Sequence, residues 1–231
     1  MDTAPDTRSD QVYRDLKTRL LVGDFLLNVR LSEERLGAEY GVSRTPVRAA
    51  LHRLDAEGLV ARLADGGFGP VTPDVDVMRD LYEVRLNLEL LALRRPAMTE
   101  TLHDSAQLDV LRQEWRSLQQ DPAQRPDPSF VLLDEAFHLG LAVAAGNEVV
   151  VDLLQGVNNR IRIVRMQDFL SVDRINATIS EHLEILDALQ TGNPAKAEAV
   201  MTMHIDASKS VVDERVFAAV ARMAGRNGAN R

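Results

Sequence analysis

Asp134 and His138 stand four residues apart, and His182 and His204 follow in two later stretches with helical periodicity. Positions i and i+4 share one face of a helix, so Asp134 and His138 can approach one ion together. At 100° per residue, His182 falls among Ile175, Ile179, Ile185, Leu186 and Leu189. His204 falls among Ala197, Val200, Met201, Ala207 and Val211, and His138 lies beside the face of Phe130, Leu133, Phe137 and Leu141. Ligand-capable groups therefore point inward from three helices. Three nitrogens and one oxygen make a donor set for a divalent transition metal, zinc foremost, with nickel, copper, iron or manganese also compatible. A buried polar network without metal satisfies the same pattern. His52 and His103 sit in ordinary surroundings.

The elements that must position these groups are helices. From residue 74 onward only helix signals occur. Val77, Leu81, Val84, Leu88 and Leu91 make one apolar face, and Leu86, Leu90 and Leu93 a second. A helix apolar on two sides is buried between layers or lies at a subunit contact. Leu108, Leu111, Trp115 and Leu118 mark the next helix, and "DPAQRPDPS" (121–129) breaks the pattern. Further helices are expected over 129–147, 148–170 and 173–193. A long one opens at Pro194. The sum is an all-α antiparallel bundle of six or seven helices.

The chain has 231 residues, enough for two domains, and no cysteine, which excludes disulfides and thiolate metal sites. No apolar run is long enough to span a membrane, and "MDTAPDTRSD" lacks the order of a signal peptide, so a cytoplasmic location is expected. Net charge is −8, which argues against diffuse binding to nucleic acid. Yet Arg44, Arg48, Arg53 and Arg62 cluster between residues 41 and 62, a local positive edge suited to a specific site.

That edge belongs to three short helices. Val12, Leu16 and Leu20 give the first, which Gly23 stops. Ser32 caps the second, with Glu33 and Glu34 in its first turn and Gly41 as its stop. The third starts at Ser43 or Thr45 with Pro46 in its first turn. Val47, Ala50, Leu51 and Leu54 share its inner face, while Thr45, Arg48, Ala49 and His52 face outward. "LVARLADGGFGPVTP" follows as two short strands around Gly66-Gly67. The order is that of a winged helix-turn-helix, whose third helix enters the major groove and meets bases and phosphates with its N-terminal residues. A small helical domain with a solvated arginine face is the plainer reading.

The stretch "LSEERLGAEYGVSRTPVRAALHRLDAEGLV" resembles the DNA-binding domain of the GntR family of bacterial transcriptional regulators. The resemblance implies DNA contacts from Arg35, Arg44, Thr45 and Arg48, with the wing near Gly67 touching the minor groove. Two departures are visible. Leu27-Asn28 stands where relatives often have Pro-Gly, and Glu34 stands where some relatives place the arginine that comes here at 35. "DLYEVRLNLE", "DEAFHLGLAVAAGN" and "EHLEILDALQTGNPAKAEAVMTMH" resemble the FCD ligand-binding domain of the FadR-type subfamily. Asp134, His138, His182 and His204 match all four positions of its metal-binding subset. By the same resemblance Arg85 would clamp the carboxylate of a small organic acid effector, with Arg162 assisting. An ion pair of Arg85 with Glu89 is the alternative.

The expected protein is thus mainly α: residues 1–73 form a winged helix-turn-helix with a small β-hairpin wing, and residues 74–231 an all-helical effector-, metal-binding and dimerisation domain. It would be a homodimer on palindromic double-stranded operator DNA, with repression relieved by the effector as the common case in the family. The linker at Thr72-Pro73-Asp74 would carry the change between domains. Three rivals remain: a metal-dependent hydrolase, a sensor for which the ion is the signal, and a metal that only staples the bundle. The hydrolase lacks any HExxH-type acid–base motif and leaves the DNA-binding half without a role, so no enzyme activity is expected.

Overall fold

A computed structural model describes residues 7–21, 24–25, 29–64, 66–71, 74–98 and 101–228. Gly23, Leu27-Asn28 and Thr72-Pro73, read above as a helix stop, a loop departure and a linker, lie outside the described residues. The chain divides into two compact units, one of Met1–Pro73 with Glu214–Arg231 and one of Asp74–Asp213. The last residues are therefore grouped with the first unit, whereas the sequence reading carried the helical domain to residue 231. Nine α-helices and one two-stranded hairpin occur among the described residues.

In the first unit, α1 (Arg8–Leu21) packs on α3 (Arg44–Ala56), and α2 (Glu33–Tyr40) also packs on α3. The helix α1 buries Val12, Tyr13, Leu16, Lys17 and Leu21, so Leu21 rather than Leu20 completes its inner stripe. The Ser32 Oγ accepts from the Arg35 N–H at 3.3 Å and caps α2. Gly41 ends α2 at φ 62°, a left-handed conformation in which a side chain would be strained. That turn delivers α3 with Ser43 at its N-cap position. Val47, Ala50, Leu51 and Leu54 are each 0% exposed, while Thr45, Arg48, Ala49 and His52 are exposed, as the periodicity requires. Strands β1 (Val60–Arg62) and β2 (Phe68–Pro70) pair antiparallel with Ala61 opposite Gly69. Leu31 bridges to Phe68 and adds a third line of chain beside the wing.

In the helical region the sequence expected six or seven helices, and six are present among the described residues, α4 (Val75–Met98), α5 (Ser105–Gln120), α6 (Val131–Ala144), α7 (Glu148–Arg165), α8 (Val172–Gln190) and α9 (Pro194–Gly228), the last of which belongs to the second unit as far as Asp213. Short 3-10 turns at Pro128–Phe130 and Asp168–Leu170 take the ends of two expected helices. The helix α6 is central: it packs against α4, α5 and α7. One expectation is corrected. Val77 and Val84 are exposed, and the inner face of α4 is Leu81, Tyr82, Arg85, Glu89, Ala92 and Leu93. The apolar pattern misplaced this face because two of its buried positions are charged. Trp115 of α5 lies edge-on to Phe130, Phe137 and His182 and closes one side of the core.

Leu51 is fully buried at the centre of the first unit. Leu51→Ala should lower the stability of that unit by about 2–5 kcal/mol. Urea unfolding of the variant checks this, and an unchanged midpoint contradicts the packing described.

Candidate functional site

The helix α6 supplies Asp134 and His138, α8 supplies His182 and α9 supplies His204. All four are buried, and their ligand atoms lie within 4.8 Å of one another. His204 Nε2 is 3.3 Å from His138 Nε2 and 3.4 Å from His182 Nε2. Asp134 Oδ1 is 3.3 Å from His182 Nε2 and 3.7 Å from His204 Nε2. Ligands held about 2.1 Å from a tetrahedral ion are separated by about 3.4 Å. Four of the separations, at 3.3–3.7 Å, lie near that spacing.

The outer nitrogens decide what the inner ones present. Glu181 Oε2 lies 2.6 Å from His204 Nδ1, and Glu89 Oε1 lies 3.0 Å from His138 Nδ1. A carboxylate accepts only, which favours a proton on each of these nitrogens, while Arg174 Nη2 also stands 3.2 Å from His204 Nδ1. The facing Nε2 atoms of His138 and His204 stand 3.3 Å apart, and with both rings protonated at Nδ1 they cannot satisfy one another. A cation between them can. Asp134 Oδ1 likewise accepts no hydrogen bond among the described residues. The residues fit a metal on these grounds.

Electrostatics keep the set in its ligating form. Burial holds His182 and His204 well below the usual imidazole range, which leaves them neutral. Burial alone would raise the Asp134 carboxyl, but the Arg165 guanidinium against it holds it well below the usual carboxylate range. Glu89 is also lowered, with His138 and Arg85 outweighing its burial.

Several contributors had not been assigned from sequence. Arg165 of α7 is buried and pairs directly with Asp134 Oδ2, and donates to Asn158 Oδ1 at 3.1 Å. Arg174 of α8 grips Glu181 with two contacts of 2.8 and 2.9 Å and donates to the His204 carbonyl at 3.3 Å. The signal for Arg165 was available: it follows Leu154, Val157 and Ile161 on the buried stripe of α7. Arg162 lies off that stripe and does not reach the tetrad. Its guanidinium is spent on Glu135, at 2.7–3.1 Å, and on Asn159, at 3.0 Å.

Arg85 is 0% exposed and meets Glu89 through Nε at 3.3 Å, so the ion pair weighed from sequence is present. Its Nη1 and Nη2 donate to nothing among the described residues, and Nη2 stands 3.8 Å from Asp134 Oδ2. A buried guanidinium with two unspent nitrogens beside the tetrad can receive an anion.

In the first unit a surface groove brings together Arg44, Arg48 and Gly67 with Arg30, Glu33 and Glu34. Arg48 is held by Glu33 through Nε and Nη2 at 2.9 and 2.8 Å, and Arg44 by Glu34 at 2.7 Å. Thr45 and Arg35 are exposed outside the lining of this groove. Arg30 had not been singled out from sequence, and Glu33 and Glu34 had been read only as first-turn residues of the second helix.

A helix-turn-helix with a wing and an all-helical sensor-like unit define a regulator of transcription. Residues 8–69 match the family of bacterial regulatory proteins called gntR, and residues 80–207 match the FCD domain. The chain belongs to the GntR family of bacterial transcriptional regulators, in the group that carries an FCD domain, and is not an enzyme. It is similar to the Nta operon transcriptional regulator of Aminobacter aminovorans, 32% identical over 200 residues, covering 86% of this chain and 91% of that protein. It is 26% identical over 205 residues to the HTH-type transcriptional repressor RspR of Escherichia coli, covering 88% of each. Its fold is similar to that of Lar, which controls the expression of the Listeria monocytogenes agr system. The TM-score is 0.61 at 22% identity, over 91% of this chain and 98% of that one. No helix of the described residues is long and apolar enough to cross a membrane.

Arg165 neutralises buried Asp134 and Glu135, whereas Arg162 is partly exposed. Arg165→Ala should therefore destabilise the second unit by about 3–5 kcal/mol, and Arg162→Ala by about 1 kcal/mol or less. Denaturant melts of both variants test the ranking, and the reverse order would contradict it.

Proposed function

We propose that this chain is a transcriptional repressor whose hold on operator DNA is controlled by a small carboxylate bound at a metal centre in the helical unit. The observation that carries the reading is the convergence of three imidazole Nε2 atoms and Asp134 Oδ1 on one buried point. Asp134, His138, His182 and His204 would hold a divalent transition metal, zinc foremost, with nickel, manganese or iron as alternatives. Once bound, the ion supplies a fixed Lewis-acidic charge in a dry site. Arg85 would take the effector's carboxylate with its two unspent nitrogens. Those nitrogens favour an organic anion as the signal over the metal acting alone, since a pure metal sensor leaves them without a use.

On the DNA side Arg44, Thr45 and Arg48 would read a palindromic operator as part of a homodimer, assisted by Arg35 and by the wing at Gly67. The sign of regulation is taken from a repressor among the relatives. The protein would act in the cytoplasm. Effector binding must favour one of two states of the protein, and it shifts DNA affinity only by its difference in affinity between them.

Elemental analysis of the purified protein should find about one transition-metal ion per chain, lost in His182→Ala. No metal in the wild type, even after reloading, would overturn the centre and leave the tetrad a polar core network. In metal titrations of the stripped protein, Glu89→Gln should bind about 10–100-fold more weakly than wild type. Equal affinity would contradict the role given to Glu89.

A further inference from the structure

We propose that Arg30 is the wing-side phosphate contact of the DNA-reading groove, and that Gly67 acts by making room for it rather than by touching DNA itself. Arg30 is fixed beside the wing by its neighbour, because the Leu31 N–H donates to the Phe68 carbonyl at 2.8 Å. From there its guanidinium lies over Gly67. A Cβ built on Gly67 would come 2.9 Å from Arg30 Nε, 3.0 Å from Cζ and 3.2 Å from Nη2. A side chain at 67 would therefore displace the end of Arg30 from this position.

The turn does not supply another cause. Gly66 has φ 82° and needs to be glycine for its backbone, but Gly67 does not adopt a left-handed conformation. An alanine at 67 is compatible with its own backbone and incompatible with where Arg30 rests. Two adjacent glycines thus have two different reasons. The first turns the chain, and the second seats an arginine.

The seat faces ligand rather than core. Arg30 is exposed, and it lines the same groove as Arg44 and Arg48. Those two present guanidinium groups already oriented by Glu34 and Glu33. A third guanidinium in the same groove, beside the wing, suits an anionic strand running between wing and reader helix. Phosphodiester oxygens are the chemistry that a planar guanidinium laid against backbone recognises. A phosphate contact positions the protein on any sequence and contributes to the salt dependence of binding.

The test uses the full chain and a duplex recovered by the wild-type protein from a random-sequence library, with affinity followed by fluorescence anisotropy between 50 and 200 mM salt. Arg30→Ala should weaken binding about tenfold and lower the slope of log affinity against log salt by about one. Arg30→Lys should keep the slope, since the charge remains. Gly67→Ala should weaken binding comparably in the wild type and have no further effect in the Arg30→Ala background. Wild-type affinity and slope in Arg30→Ala would overturn the proposal. So would a Gly67→Ala cost that persists undiminished without Arg30, because Gly67 would then be acting on its own. Loss of slope in Arg30→Lys equal to that in Arg30→Ala would overturn the phosphate assignment.

Discussion

Three imidazole nitrogens that point at one another cannot satisfy one another, and the second unit is arranged around that constraint. Two of the three rings have a carboxylate behind them. Glu89 stands 3.0 Å from the outer nitrogen of His138 and Glu181 2.6 Å from that of His204. The acids then need cations of their own. Arg85, Arg165 and Arg174 are buried near Glu89, Asp134, Glu135 and Asp168. Such a set costs heavily in desolvation unless every charge is matched.

The first unit meets a different electrostatic problem. The chain is acidic overall, yet it must approach a polyanion. Arg44 and Arg48, proposed to read DNA, line one groove and each is engaged by a glutamate of the preceding helix. Exposed pairs of this kind contribute little to stability. Their effect is to orient the guanidinium forks and to temper a general attraction for phosphate. Affinity then depends more on a matched site, which is what a regulator with many competing non-specific sites requires.

Much of this was legible in the residues. The buried face of α3, the glycine at the turn before it and the tetrad each follow from spacing alone, because apolar periodicity is a reliable guide wherever the buried positions are apolar. It fails where they are not. Arg85 and Glu89 occupy the inner face of α4, so the pattern of leucines pointed to Val77 and Val84, which are exposed. Arg162 and Arg165 look alike in the sequence and differ only by which side of α7 they leave. Glu181 and Arg174 are distant in space from no one residue that a motif would flag, and their role arises from the meeting of α8 with α9. Arg30 was invisible for a related reason: its significance lies in a contact with a glycine on another strand.

The central claim is that the convergent nitrogens and the Asp134 carboxylate are a metal centre, and crystals of the metal-loaded protein test it most directly. Diffraction collected at the absorption edge of the bound metal should show one anomalous peak per chain. That peak should be enclosed by Nε2 of His138, His182 and His204 and by the carboxylate of Asp134. A peak elsewhere, or none with the three rings bonded only to one another and to water, would contradict the account.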